Sequence, residues 1–322
     1  MRIVFVGAGA VGGYFGGRML QAGLDVSFFL RRDSAARLRS AGLHLTSPAG
    51  NFVRPGPRVI AAGVAAPTPD VLFIACKAEH VRPAASLASY LVGESTVVIP
   101  LQNGVDAPAD LHQVLPSGCV TGGLSRIFAE RVSSGQIRHT GLAVPSITCG
   151  EIAGGRSDRV GAVVEHLAAV EGMAIDESED IWTEMWKKLL MVCSLGIVGA
   201  AARAPLGILL SVPETRELFE SCAAEIEAVG RACGARIPKG YGFRQIARYE
   251  MLSPSTTASM HRDLERGNAS ELDGQLGAVL NRGRKAGVPT PLLAALYGAL
   301  LPGELRARGK VSYMGVAPRS GA

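Results

Sequence analysis

The N-terminal run Ile3-Val4-Phe5-Val6 is apolar at every position, which reads as a strand buried on both faces rather than one alternating between core and water. Comparable runs recur at Leu24–Leu30, Val71–Lys77 and Thr96–Pro100. Helical segments separate them: one ends at Gly23, one runs from Ser34 to Gly42, and one covers Val81–Leu91. Between the second and third of these helices, Leu43–Thr46 and Phe52–Ala61 read as strands around a Ser-Pro-Ala-Gly-Asn turn. Such an insertion modifies a simple parallel β/α sheet. Val120–Phe128 and Gln136–Thr140 read as further strands. The segment Ser157–Glu171 spaces Val160, Val163, Val164, Leu167 and Val170 as a helix face.

Alternation of strand and helix stops there. From Glu179 to about Arg308 the pattern is almost wholly helical, as in Glu217–Cys233, where Leu218, Cys222, Ile226, Val229 and Cys233 share a stripe. The expected architecture is an α/β Rossmann-type dinucleotide-binding domain over residues 1–178, followed by an all-α domain over 179–322. The latter is expected to serve substrate binding and dimerisation, with 312–322 as a loose tail. Length agrees, since 322 residues exceed one ordinary core.

The break after the first strand is Gly7-Ala8-Gly9-Ala10-Val11-Gly12, a G-x-G-x-x-G turn lying between a strand and a helix. In that setting Gly7 permits the tight turn, Gly9 lets a pyrophosphate approach the backbone, and Gly12 lets the helix close on the strand. The N–H groups of Ala8, Ala10 and Val11 and the helix dipole would face the anion. All six residues are therefore assigned to a dinucleotide. At the end of the second strand stands Arg31-Arg32-Asp33. An acidic residue here would bind the ribose hydroxyls of NAD, whereas arginine suits a 2′-phosphate. Asp33 reads as the N-cap of the next helix, so Arg31 favours NADP(H), although the two arginines also suit a solvated surface.

Composition excludes several classes. The formal charge of +5 is spread along the chain without basic tracts, which argues against a nucleic-acid binder. No leader is expected, since the first strand begins right after Met1, and the apolar run Leu189–Ala202 is short for a bilayer and broken by glycines, so it reads as a buried helix. No membrane partner is expected. Six cysteines without C-x-x-C or zinc spacing read as reduced, buried thiols of a cytoplasmic protein, with no metal site.

Chemistry-bearing side chains then stand out. Lys77 and Asn103 each follow a strand at its carboxyl end, where open α/β sheets bind ligands; a solvent lysine and an Asn-Gly turn are the alternatives. Trp186-Lys187-Lys188-Leu189 puts lysines beside an apolar helix face, where one could protonate the alkoxide formed as hydride adds to a ketone, or merely snorkel. Glu271 falls at a helix start, where Asn268-x-x-Glu271 also fits a capping box. His261 lies on a polar stretch without an evident partner.

Taken together, these motifs resemble the ketopantoate reductase (2-dehydropantoate 2-reductase) family over nearly the whole chain. The matching pieces are Gly7–Tyr14, Arg31, Cys76-Lys77-Ala78, Gln102-Asn103-Gly104, Arg138-His139-Thr140-Gly141, Trp186-x-Lys188-Leu189, and Ser259-Met260-x-x-Asp263 with Glu271-Leu272-Asp273-Gly274. The resemblance implies NADPH-dependent reduction of a 2-keto acid, 2-dehydropantoate to pantoate in pantothenate biosynthesis or a related substrate. It also implies that Lys188 is the general acid and that Asn103 and Ser259 contact substrate. Glu271 would lie beside the cofactor or the substrate hydroxyl, Arg31 and Lys77 would serve NADP(H), and Asn103 would border the cofactor. The chain departs from the family where asparagines usually follow that lysine by four and eight residues: here stand Val192 and Gly196. A bulkier or more apolar 2-keto acid would suit that change. An imine or amino-carboxylate dehydrogenase of similar plan, and an NADPH-binding sensor without catalysis, are the competing readings.

Overall fold

The structure is a computed structural model, which describes residues 1–116, 118–141 and 143–313. The tail expected over 312–322 thus lies, from residue 314 onward, outside the described residues. The chain divides into two compact units, Met1–Met185 and Trp186–Ala322.

The first unit begins β1 (Arg2–Val6), α1 (Ala10–Gln21), β2 (Asp25–Leu30), α2 (Arg32–Ala41), β3 (Leu43–Thr46), β4 (Phe52–Arg54), β5 (Val59–Ala61) and β6 (Val71–Ile74). It continues α3 (Val81–Ala88), β7 (Val97–Pro100), α4 (Ala107–His112), β8 (Gly122–Arg126), β9 (Ala129–Ser133), β10 (Gln136–His139), β11 (Ser146–Gly150), α5 (Asp158–Leu167) and β12 (Ala174–Glu177). A parallel sheet in the order β5-β2-β1-β6-β7 forms its centre. Along β1 the side chains alternate between two cores. Ile3 and Phe5 join Val26, Phe28, Phe73 and Ile99 on one face, while Val4 and Val6 join Phe29, Leu72, Ile74 and Val98 on the other. This is why the strands read as unbroken apolar runs.

Two smaller sheets, β4-β3-β10-β9 and β12-β11-β8, complete the unit. Helix α1 is sandwiched by means of its glycines. A Cβ at Gly16 would lie 2.7 Å from the ring of Phe28 in β2, and one at Gly17 would lie 2.5 Å from Leu45 in β3. Consecutive glycines, about 100° apart around the helix, let it pack against two sheets at once.

The observed elements correct the expected ones in places. Phe52–Ala61 is two strands, because Pro55-Gly56-Pro57 interrupts it: β4 pairs antiparallel with β3, and β5 pairs parallel with β2. Asp33 is not a cap. Helix α2 starts at Arg32, Arg31 holds the N-cap position, and Asp33 sits in the first turn, where its charge suits the dipole. The strand read as Val120–Phe128 ends at Arg126, and β9, β11 and β12 are strands that the periodicity did not mark. Helix α5 is capped as its sequence suggests, Ser157 accepting a hydrogen bond from the Val160 N–H.

The second unit is helical: α6 (Ile181–Ala202, which starts in the first unit), α7 (Leu206–Ser211), α8 (Pro213–Ala232), α9 (Tyr241–Tyr249), α10 (Ser259–Glu265), α11 (Ala278–Ala286) and α12 (Pro291–Ala307). A π-helical turn, Asp273–Gly277, leads into α11. Helix α8 packs against α7, α9, α11 and α12 through Phe219, Cys222, Ala223, Ile226, Val229 and Gly230. The buried stripe is thus shifted from the one read off the sequence, with Leu218 and Cys233 only half-buried. Glu227 on this stripe is buried because its carboxylate accepts hydrogen bonds from the Gly240 and Gly242 N–H groups at 2.7 and 3.0 Å, tying down the start of α9. Helix α6 is longer than the apolar run that flagged it. Its length and hydropathy would allow a membrane crossing, but 61% of its most apolar window is buried by protein, as in a core helix.

Candidate functional site

The first unit gathers its candidate residues at the carboxyl edge of the parallel sheet. Gly7 follows β1, Arg31 follows β2, Lys77 follows β6 and Asn103 follows β7. The strand order reverses between β1 and β6, and such a switch point is where open α/β sheets hold ligands. The turn is built as the glycine pattern requires. Gly7 has φ +107°, a conformation that side chains disfavour, and a Cβ on it would lie 2.9 Å from the Ala75 carbonyl oxygen beyond β6. A Cβ on Gly12 would run into the Gly7 carbonyl oxygen. Gly9 differs: it caps α1 with φ −77°, and a Cβ there would meet no atom within 4 Å. The first glycine is needed for the turn, the third for packing, and the second leaves open space over the helix N-terminus. That space, with the first-turn N–H groups of α1 and no acidic residue in that turn, fits a pyrophosphate.

Arg31 is exposed at the end of β2, and Lys77 is exposed where the chain leaves β6. Asn103 is half-buried ahead of Gly104, whose φ of +127° sets the turn after β7. Gln102 has a role that spacing alone did not reveal. It is 6% exposed, and its amide donates to the carbonyls of Ile74 and Cys76 at 2.8 and 2.9 Å. It pins the end of β6 to the end of β7 and so fixes the backbone from which Lys77 and Asn103 project.

In the second unit, Trp186 is fully buried and packs against Gly230 of α8, where a Cβ would lie 3.0 Å from the indole. The two lysines that follow diverge by one helical step. Lys187 lies over the Tyr241 ring, 5.5 Å from its centroid. Lys188 is half-buried one step around the helix, in a row with Val192 and Gly196. Gly196 is a packing seat: a Cβ there would lie 2.5 Å from Met260 Cε and 3.6 Å from Ala258 Cβ. The start of α10, with Ser259 exposed, is thereby brought onto the helix that carries Lys188, two turns along.

One expectation in this unit changes. His261, although on a polar stretch of sequence, is buried at 2% exposure, and Gly199 makes room for its ring, which a Cβ would approach to 2.7 Å. Burial lowers its pKa, opposed by Glu265, whose carboxylate is 3.8 Å from Nε2, with Arg262 lowering it further. Glycines at 196 and 199 were the available signal for this contact. Glu271 stands where the sequence placed it, at the start of the helical run to Ala286, just before Leu272 and the π-helical turn, and its carboxylate accepts a hydrogen bond from Gln275 at 3.3 Å. Its position is set from α12. Glu304, fully buried, accepts from the Ser270 N–H and hydroxyl and from Arg308, while Arg308 also donates to the Ser270 carbonyl at 2.7 Å. That buried network fixes the residue immediately before Glu271.

Comparison with known proteins covers both units. The family described as Ketopantoate reductase PanE/ApbA matches residues 3–154, and its C-terminal counterpart, Ketopantoate reductase PanE/ApbA C terminal, matches residues 180–304. The chain is 30% identical over 300 residues to Uncharacterized oxidoreductase YkpB of Bacillus subtilis, covering 93% of this chain and 98% of that one. It is 28% identical over 304 residues to a 2-dehydropantoate 2-reductase of Nostoc, covering 93% and 94%. Among solved structures, a 2-dehydropantoate 2-reductase of Geobacter metallireducens superposes with TM-score 0.85 at 25% identity, over 94% of this chain and 99% of that one. D-mandelate dehydrogenase, solved with NADH and anilino(oxo)acetate, shares the fold with TM-score 0.85 at 18% identity, over 96% and 100%.

Proposed function

The chain belongs to the ketopantoate reductase family, a family of dinucleotide-dependent oxidoreductases acting on CH–OH groups, and from that premise we propose that it reduces a 2-keto acid to the 2-hydroxy acid with NADPH. 2-Dehydropantoate, or a close relative of it, is the substrate this reading names first. The observation that carries the proposal is the match of the family over both units, on a chain whose glycine turn fits a dinucleotide.

The bound dinucleotide supplies the hydride that turns C=O into CH–OH. The remaining work is assigned to side chains. Lys188 holds the proton that the carbonyl oxygen takes up, and its charge stabilises that oxygen as negative charge develops. Asn103 and Ser259 can each donate and accept, and they orient the acid by hydrogen bonds. Glu271 accepts from a hydroxyl of substrate or cofactor. Gly7–Gly12 hold the pyrophosphate, while Arg31 and Lys77 provide positive charge for a 2′-phosphate. The choice of NADPH rests on that pair, because the fold is shared with a protein solved with NADH. All six cysteines are free thiols, which supports a reducing, cytoplasmic setting.

The test is oxidation of NADPH and of NADH by the purified protein against a panel of 2-keto acids, with and without ammonia. Turnover of at least one acid without ammonia, faster with NADPH, is expected. Turnover only with an amine present would make it an imine-reducing enzyme, and tight NADPH binding with no turnover would make it a sensor.

A further inference from the structure

The row on α6 bears on the part of a substrate that lies beyond its keto group. Lys188, Val192 and Gly196 stand one and two turns apart on one side of the helix. Val192 is half-buried and has no group that can donate or accept a hydrogen bond. Gly196 leaves no hollow. Met260, 1% exposed, fills the space its missing side chain would take, with Cε 2.5 Å and Cβ 3.5 Å from the position of a Cβ. The partly exposed side chain next to Lys188 in this row is therefore a valine methyl pair, and the place at Gly196 is closed by a buried thioether. The backbone N–H and C=O groups there are engaged within the helix.

We infer that Val192 determines specificity: it makes the site apolar beyond the keto group, so that the enzyme prefers 2-keto acids with a hydrocarbon side chain over those bearing a hydroxyl. The inference rests on the reductase reading, in which Lys188 and Ser259 meet substrate. A distal hydroxyl directed at this row would give up water without a partner. Because Met260 occupies the room at Gly196, the absent side chain there does not enlarge the site. The preference is for apolarity rather than bulk. The reaction is unchanged: one hydride and one proton convert the keto group to a hydroxyl, and the dinucleotide is oxidised.

The test compares 3,3-dimethyl-2-oxobutanoate with its 4-hydroxy counterpart, 2-dehydropantoate, which differ by one oxygen. Apolar sites reject an added hydroxyl by no more than about 100-fold, so kcat/KM should favour the deoxy acid by roughly 10- to 100-fold, mostly through KM. Equal values, or preference for the hydroxylated acid, overturn the inference while leaving the reductase reading intact. Oxidation of NADPH with neither acid, nor with any other 2-keto acid, overturns the reductase reading and this inference with it. Val192→Asn should move the ratio at least about tenfold toward the hydroxylated acid. Val192→Thr keeps the native shape with one hydroxyl and should shift it the same way if the asparagine variant does not fold. A ratio unmoved in a folded Val192 variant overturns the assignment.

Discussion

Helices α1 and α6 both use glycine to bring another element close, yet the glycines do different things. On α1, Gly12 and Gly16 meet backbone and aromatic rings of the parallel sheet, while Gly9 faces open space at the helix start. On α6, Gly196 and Gly199 are filled by Met260 and His261 of α10. One helix leaves its space open; the other gives its space to its own chain. A missing side chain therefore signals a binding site only where no neighbour has taken the room. That distinction matches the proposed reading, in which the first unit holds the cofactor and the second carries the reacting group.

The largest expected effect tests the second half of that statement. Lys188→Ala should lower turnover by roughly 10²- to 10⁴-fold and leave NADPH affinity within a small factor. Stopped-flow reduction and fluorescence titration measure the two separately. A variant with native turnover removes Lys188 from the chemistry. Lys187→Ala is the control, since Lys187 lies over the Tyr241 ring and should change stability more than rate.

The glycines themselves give the sharpest contrast. Gly199→Ala forces a methyl group toward the buried His261 ring, with Nδ1 at 2.7 Å, and should cost about 1–3 kcal/mol by overpacking, less up to ~1 kcal/mol of improved helix propensity. Cofactor affinity should not change. Gly9→Ala reverses the pattern: its Cβ meets nothing in the protein, so the melting temperature should hold while dinucleotide affinity falls about tenfold or more. Calorimetric unfolding and cofactor titration on both variants decide it. Equal losses of affinity in the two would erase the contrast.

These variants also show what the sequence could and could not reveal. The parallel sheet was legible because strands buried on both faces leave unbroken apolar runs, and the turn at Gly7 was legible because strand, glycines and helix occur in fixed order. Strands β9 and β12 (AERVS and AIDE) were not, since four or five mixed residues carry too little periodicity. Phe52–Ala61 looked like one strand although its prolines divide it between two sheets. Lys77, Asn103 and Lys188 could be named as candidates from position and from family likeness. Gln102 and Glu304 act through backbone atoms of other segments, and His261 is buried by a contact across helices. Such contacts depend on tertiary placement, which local pattern does not encode.

Arg31→Asp probes the cofactor edge at smaller scale. Losing charge-assisted hydrogen bonds to a 2′-phosphate and adding a repelling carboxylate should reduce NADPH affinity by roughly 10- to 100-fold, while NADH affinity holds or improves. The ratio of the two dissociation constants is the measurement. A ratio that does not move would make Arg31 a surface residue and leave Lys77 to carry the preference.

The smallest effect separates how the two units hold their corners. In the second unit Glu304 is fully buried and braces Ser270. In the first, Glu151 beyond β11 grips Arg159 of α5 through both carboxylate oxygens, at 2.7 and 2.6 Å, at a partly exposed corner. The hydrogen bonds from Arg159 are the main cause that holds the Glu151 carboxyl below its ordinary 4.5, against the opposing effect of burial, with Ser157 helping. A lowered folded-state pKa means that folding favours the ionised form. The stabilisation is complete above the ordinary carboxylate value and is lost as pH falls through the depressed one. Glu151→Gln should therefore destabilise the protein by about 1 kcal/mol at neutral pH, the scale of a partly exposed pair, with the difference shrinking below pH 4.5. Melting curves of both proteins across that range measure it. A difference that persists undiminished in acid would show that the corner depends on packing of the side chain and not on its charge.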